Sequence, residues 1–132
     1  MRIGNTILNN NSGASIDGTI SSHGYNISSD DGGSNLTGPG DQINTDLMLG
    51  PLQDNGGPTF THALLPGSPA IDAGDPNFAP PPFYDQRGPR FRRVFNGRID
   101  IGSFEAQPPS PPLPTPRPRP TSPCPCPTPA PP

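Results

Sequence analysis

The sequence has no lysine and no tryptophan, only two cysteines, and 28% apolar residues over 132 positions. Each shortage excludes something. So few apolar side chains cannot fill a large globular core, so any folded part is thin or extended, and small folds bury too little surface to be strongly stable alone. No apolar run approaches the ~20 residues of a membrane-spanning helix. No apolar stretch follows Met1-Arg2-Ile3-Gly4 to make a signal peptide. Cys124 and Cys126 with His23 and His62 lack the spacing of a four-ligand zinc site. Helical spacing of apolar residues is also missing, which argues against an α-helical fold.

What is abundant is turn-forming residues, with 24 prolines and 16 glycines, a level that marks low-complexity segments. The net charge is -3, and all eight basic residues are arginine. Arg87, Arg90, Arg92, Arg93 and Arg98 cluster without the broad, aromatic-interleaved basic face of a nucleic-acid module, so no nucleic-acid partner is expected. Pairing of these arginines with Asp85 and Asp100 is preferred to a patch for anions or polysaccharide.

Composition divides the chain into three zones. Residues 1–48 are rich in Asn, Ser, Gly and Asp with isolated Ile and Leu. Three short strands are expected there, within Gly4–Asn11, Ser15–Ile20 and Gly24–Ser28, followed by a loop from Ser29 to Asp41. Short strands between polar turns suit a solenoid, whose coils need few apolar residues and whose stacked Asn side chains form hydrogen-bonded ladders. An antiparallel sandwich wants a sustained two-residue alternation that is missing. Residues 49–107 carry denser turn signals. In Asn55-Gly56-Gly57-Pro58 a tight turn is expected, with at least one glycine at positive φ. A strand is expected at Thr61–Leu65, and another turn and strand across Pro66–Asp75. Residues 108–132 are proline at every second position or more often, which enforces extended polyproline II and suits a spacer.

Four motifs stand in order: LGPLQDNGGPT (Leu49–Thr59), THALLPGSPAIDAGD (Thr61–Asp75), DQRG (Asp85–Gly88) and DIGSFE (Asp100–Glu105). With GTISSHGYNIS upstream (Gly18–Ser28), they resemble the choice-of-anchor Q domain, the C-terminal module of bacterial right-handed parallel β-helix surface proteins. The resemblance implies an all-β fold, the last coils and end of a right-handed parallel β-helix, together with export and surface attachment. The Pro108–Pro132 tail departs from the family's sorting signals, which leaves the anchor undefined.

Several residues invite chemistry. Asp72, Asp75, Asp85, Asp100 and Glu105 are candidate carboxylates of a polysaccharide-degrading site. Their strand-turn context favours a structural role, as acceptors for backbone N–H groups or as partners of Arg87 and Arg98. Ser68, His62 and Asp72 have the residue types of a hydrolase triad, but Ser68 sits in Pro-Gly-Ser-Pro and not in a nucleophile elbow. Asp30-Asp31-Gly32-Gly33 and Gly38–Ile43 weakly resemble calcium loops, and a solvated loop is the simpler reading. Asn10, Asn26 and Asn35 fit the N-x-[ST] pattern, as chance allows in such a composition.

The expectation is therefore a non-catalytic end-piece of a secreted or cell-surface repeat protein. No catalytic residue, metal or cofactor is assigned. Its expected partners are the preceding coils of a parent chain and cell-wall or extracellular polysaccharide. The alternative is the C-terminal fragment of a polysaccharide lyase or glycosidase without its active site, and a third, weaker reading is a truncated reading frame.

Overall fold

The computed structural model describes residues 1–9 and 15–107. The proline-rich tail with Arg117, Arg119, Cys124 and Cys126, and the Asn10 sequon, lie outside the described residues. Within them the fold is all-β, with short strands, turns and a single 3-10 turn at Gly32–Ser34.

The N-terminal part is a parallel ladder. Strand β1 (Arg2–Ile3) pairs in parallel with β3 (Ser21–Ser22), and β2 (Ile7–Leu8) pairs in parallel with β4 (Ile27–Ser28). Ile27 makes a further parallel bridge to Gln42, so Ile7, Ile27 and Gln42 form one column across three passes of the chain. Two residues before each member of that column the backbone turns a corner in the left-handed region, at Asn5 (φ 52), Tyr25 (φ 56) and Gly40 (φ 69). A Cβ on Gly40 would stand 2.6 Å from the Tyr25 ring, so the stacked corner admits only glycine there. The second strand expected from the sequence, Ser15–Ile20, is displaced. Regular pairing begins at Ser21, and Ile20 N instead donates to the Asn35 side chain.

One position after each corner, neutral and acidic side chains link the passes. Thr6 N donates to Asn26 Oδ1 (3.1 Å), and Asn26 donates from both N and Nδ2 to Asp41 Oδ1 (2.9 Å each). Asn26 is fully buried, and a buried amide costs stability unless it is hydrogen-bonded. Here every pass supplies the partner for the next.

The C-terminal part starts with a hairpin. Strands β5 (Leu49–Gln53) and β6 (Thr61–Leu64) pair antiparallel, with Leu52 opposite His62 and Gln53 opposite Thr61. This corrects the expectation that all strands from Gly18 to Glu105 stack in parallel. The cause is local, because Asp54–Phe60 reverses the chain at once and leaves no crossover. Gly56 and Gly57 both have positive φ, 89° and 94°, as expected of them. The register slips between Leu49 and Leu52, where Pro51 has no N–H to give to the ladder.

From Leu65 to Gln107 the chain runs as turns and isolated bridges. The strand expected within Pro66–Asp75 is absent, and its backbone is satisfied instead by turn bonds and by Ser68 and Asp100. Ile27, Leu47, Leu64, Ala70 and Ile101 form the core, with Ile7, Leu49 and Phe104 packed against it. The C-terminal part is tied to the ladder at Asn5, whose O accepts from Gly102 N (3.0 Å) and whose Oδ1 accepts from Asp75 N (2.7 Å).

Candidate functional site

The densest chemistry lies where residues 85–105 fold over each other. In Asp85-Gln86-Arg87-Gly88 the two-residue spacing lets the Asp85 carboxylate accept from the backbone N of Arg87 (2.7 Å) and from its guanidinium (Nη2, 2.6 Å). The Arg87 side chain is 3% exposed and that of Asp85 is fully buried. Arg87 also donates from Nη2 to Glu105 O (2.6 Å), and Glu105 N donates back to Asp85 Oδ2 (2.9 Å). The guanidinium lies between two rings, 3.7 Å from Phe91 and 3.8 Å from Phe104. A ring face attracts a cation by about 0.5–1 kcal/mol at an exposed site and by about 2 kcal/mol when both are shielded from water. Its buried charge is thus neutralised along its edge and covered on both faces.

A second buried pair stands beside the first. Arg93 Nη1 donates to Glu105 Oε1 (2.8 Å). Glu105 also accepts from Asp100 N, and Asp100 accepts from Asp72 N (2.7 Å) and Ala106 N (2.6 Å). Burial, and then the nearby Asp100 carboxylate, push the Glu105 carboxyl up to about 8, against the pull of Arg93. Burial also raises Asp100, in spite of its two backbone donors.

The carboxylates singled out in the sequence are therefore brought together only in part. Asp85, Asp100 and Glu105 converge, but their oxygens face backbone N–H groups and arginines. Asp85 pairs with an arginine as expected. Asp100 does not, and serves as a backbone acceptor. Arg98 instead donates from Nε to Gly74 O (2.6 Å) and from Nη2 to Ala73 O (3.1 Å). Asp75 lies elsewhere, with its N bound to Asn5 Oδ1 and its own Oδ1 accepting from Asn77 N.

The triad candidates make separate contacts. Ser68 Oγ donates to Leu47 O (2.7 Å), His62 Nδ1 stands 2.7 Å from Gly50 O, and Asp72 occupies a left-handed turn at φ 51. The acidic loops are closed on themselves. The Ser28 hydroxyl, then donors from Ser15 and Gly32, hold Asp30 well below the usual carboxylate range. Asp41 accepts from Asn26, Gly38 N and Ser22. Among the described residues no group of three or more His, Cys, Asp or Glu is placed to hold a metal ion. None of the described helices is long and apolar enough to cross a membrane.

An open groove of about 580 Å³ runs between β2, the β5–β6 hairpin and Gly102–Phe104. Phe60, 64% exposed, and Leu52, 58% exposed, stand at its rim. Sequence reasoning missed this groove and the aromatic cover of Arg87, because neither Phe60, Phe91 nor Phe104 lies in a periodic pattern. Comparison with protein families, with curated proteins and with solved structures gives no match for this chain.

Proposed function

We propose that this chain is the closing end of a right-handed parallel β-helix in a secreted or cell-surface protein, with a structural or adhesive role and no catalysis of its own. Residues 1–48 supply the last coils, and residues 49–107 form a terminal cap that resembles the choice-of-anchor Q domain. The observation that carries the reading is the Ile7–Ile27–Gln42 column with its stacked corners. Parallel pairing of successive passes, one residue of each pass above its counterpart, is how a solenoid builds its core from few apolar side chains. The tightly satisfied charges of residues 85–105 support a cap, since they close polar groups off from further chemistry.

Transfer of the cap tests the proposal. The chain is joined in register behind a parallel β-helix of known structure that lacks its own C-terminal end. A single cooperative unfolding transition, raised above that of the uncapped solenoid, is expected. Two independent transitions, with the solenoid unchanged, would reject the cap. Incubation with pectin, alginate and peptidoglycan should yield no new reducing ends and no unsaturated products. Turnover lost on Asp72→Asn or Asp100→Asn would overturn the non-catalytic reading.

A further inference from the structure

We propose that Asn96–Gly97 is a site of spontaneous, structure-selected chemical modification, the conversion of asparagine to aspartate and isoaspartate through a cyclic imide. The other Asn-Gly pair, Asn55–Gly56, is held out of this reaction by the fold.

The reaction needs the Gly amide nitrogen to reach the Asn side-chain carbon. The nitrogen, having lost its proton to water, forms a bond to Cγ, the Cγ–Nδ2 bond breaks, and ammonia leaves. Water then opens the imide at either carbonyl, to aspartate or to isoaspartate. Glycine at the second position favours attack, since no Cβ shields the nitrogen. Sequence alone therefore makes the two pairs equivalent, and their surroundings separate them.

At Asn55 both reacting groups are tied. Nδ2 donates to Thr61 O (2.8 Å) and Thr61 Oγ1 (3.1 Å), and Oδ1 accepts from Gln53 Nε2 (3.1 Å). Gly56 N donates to Asp54 Oδ1 (2.9 Å), and Gly56 is packed so that a Cβ there would meet the Phe91 ring at 2.8 Å. Attack requires at least two of these contacts to break at once. Asn96 and Gly97 form an exposed two-residue turn between Phe95 and Arg98, which bridge antiparallel. Their φ angles are 53° and 86°, the two positive values of a type I′ turn. Among the described residues the Asn96 side chain and Gly97 N make no hydrogen bond, and a Cβ on Gly97 would meet nothing within 4 Å. Only the turn itself must flex. The product matters to the fold, because isoaspartate adds a methylene to the main chain two residues from Arg98, which holds the carbonyls of Ala73 and Gly74.

The test is peptide mapping of the full chain aged at mildly alkaline pH, folded and in urea, with isoaspartate at each site quantified by mass spectrometry. In the folded chain Asn96 should convert at least about tenfold faster than Asn55, as expected when one site needs local opening and the other does not. In urea the two rates should converge. Asp54→Ala frees Gly56 N and should speed Asn55 several-fold while leaving Asn96 unchanged. The proposal is overturned if Asn55 keeps pace with Asn96 in the folded chain. It is equally overturned if Asn96 is protected by folding, or if the preference persists in urea and so belongs to flanking sequence.

Discussion

Between Arg2 and Met48 the passes of the chain are joined by main-chain pairing and by the Thr6–Asn26–Asp41 relay, with no ion pair among the described residues. Between Leu49 and Gln107 regular pairing is confined to one hairpin, and the buried Arg87–Asp85 ion pair and the buried Arg93–Glu105 contact lie there. The two regions face the same shortage of apolar side chains. The first answers it by repetition, since each pass presents the donors that the next one needs. The second has no repeat to lean on, so carboxylates and arginines take over the task of satisfying backbone groups. Repetition tolerates single losses, because neighbouring passes still hold. A cluster built from unlike parts does not.

Removing one member of the cluster should therefore have the largest effect. Arg87→Met keeps much of the stem between Phe91 and Phe104 but leaves Asp85 buried without its cation. Breaking one side of a buried pair costs about 3–5 kcal/mol, a large part of the stability of any small fold. Urea unfolding should show that loss, and a change below about 1 kcal/mol would mean that Asp85 is satisfied by backbone donors alone. Gly57→Val belongs to the same region. Its φ of 94° and the Arg87 backbone only 2.6 Å from a Cβ predict a loss above about 1 kcal/mol.

The pH response sharpens the contrast. Glu105 is raised in the fold from 4.5 to about 8, so folding favours its protonated form. The stability from this group is fully present below pH 4.5 and declines as pH rises toward 8. One proton released on unfolding gives a slope of about 1.4 kcal/mol per pH unit inside that window. Glu105→Gln should flatten the profile there. In the ladder, Asp30 has the opposite sign, since its lowered value makes it stabilising above the ordinary Asp range and less so as acid protonates it. A profile that is flat between pH 5 and 8 in the parent chain would remove Glu105 as its source.

Much of this was legible in the sequence, for reasons that can be named. Gly56 and Gly57 were readable because two adjacent glycines before a proline leave few other uses. Ladders of stacked asparagines were expected, but the relay stacks Thr6, Asn26 and Asp41, with asparagine in only one pass. The pairing of Asp85 with an arginine was readable from proximity along the chain. The Glu105–Arg93 pair was not, because twelve residues and two turns separate them. Nor was the antiparallel sense of β5 and β6 anticipated, since the strand pattern is the same for either direction and the short return loop decides it. Of the two roles offered for Asp100, backbone acceptor or arginine partner, the fold takes the first, while Arg98 reaches Gly74 and Ala73, because sequence cannot tell which acceptor a long side chain reaches.

Asn26→Ala probes the repeating region. It removes the amide that accepts from Thr6 N and donates twice toward Asp41 and Ser22. Leaving a buried donor unsatisfied costs about 1–3 kcal/mol, and the pairing of β2 with β4 persists. The loss should thus be smaller than for Arg87→Met and confined, by hydrogen exchange, to residues 1–48. A loss as large as that of Arg87→Met, spread over the whole chain, would show that the two regions share one set of supports.

The smallest effect expected is that of salt, and it separates the regions by cause. Exposed charges lose their interaction as the Debye length falls from about 10 Å at 0.1 M to about 3 Å at 1 M. The Arg87–Asp85 and Arg93–Glu105 pairs have side chains no more than 9% exposed, so ions in solution do not come between them. The ladder is held by backbone bonds, the Asn26 amide and the Asp30 and Asp41 carboxylates, whose hydrogen-bond donors are uncharged, so it offers salt no ion pair to screen among the described residues. Chloride salt over that range should then shift stability by less than about 0.5 kcal/mol in the parent chain, the scale of ordinary surface interactions. Arg87→Met is the informative comparison. Its uncompensated Asp85 draws water and ions into the cluster, so the variant should gain a salt dependence that the parent lacks. A parent chain that weakens steadily with salt would mean that its arginines act from the surface, and the division between a repeating ladder and a charge-locked cap would fail.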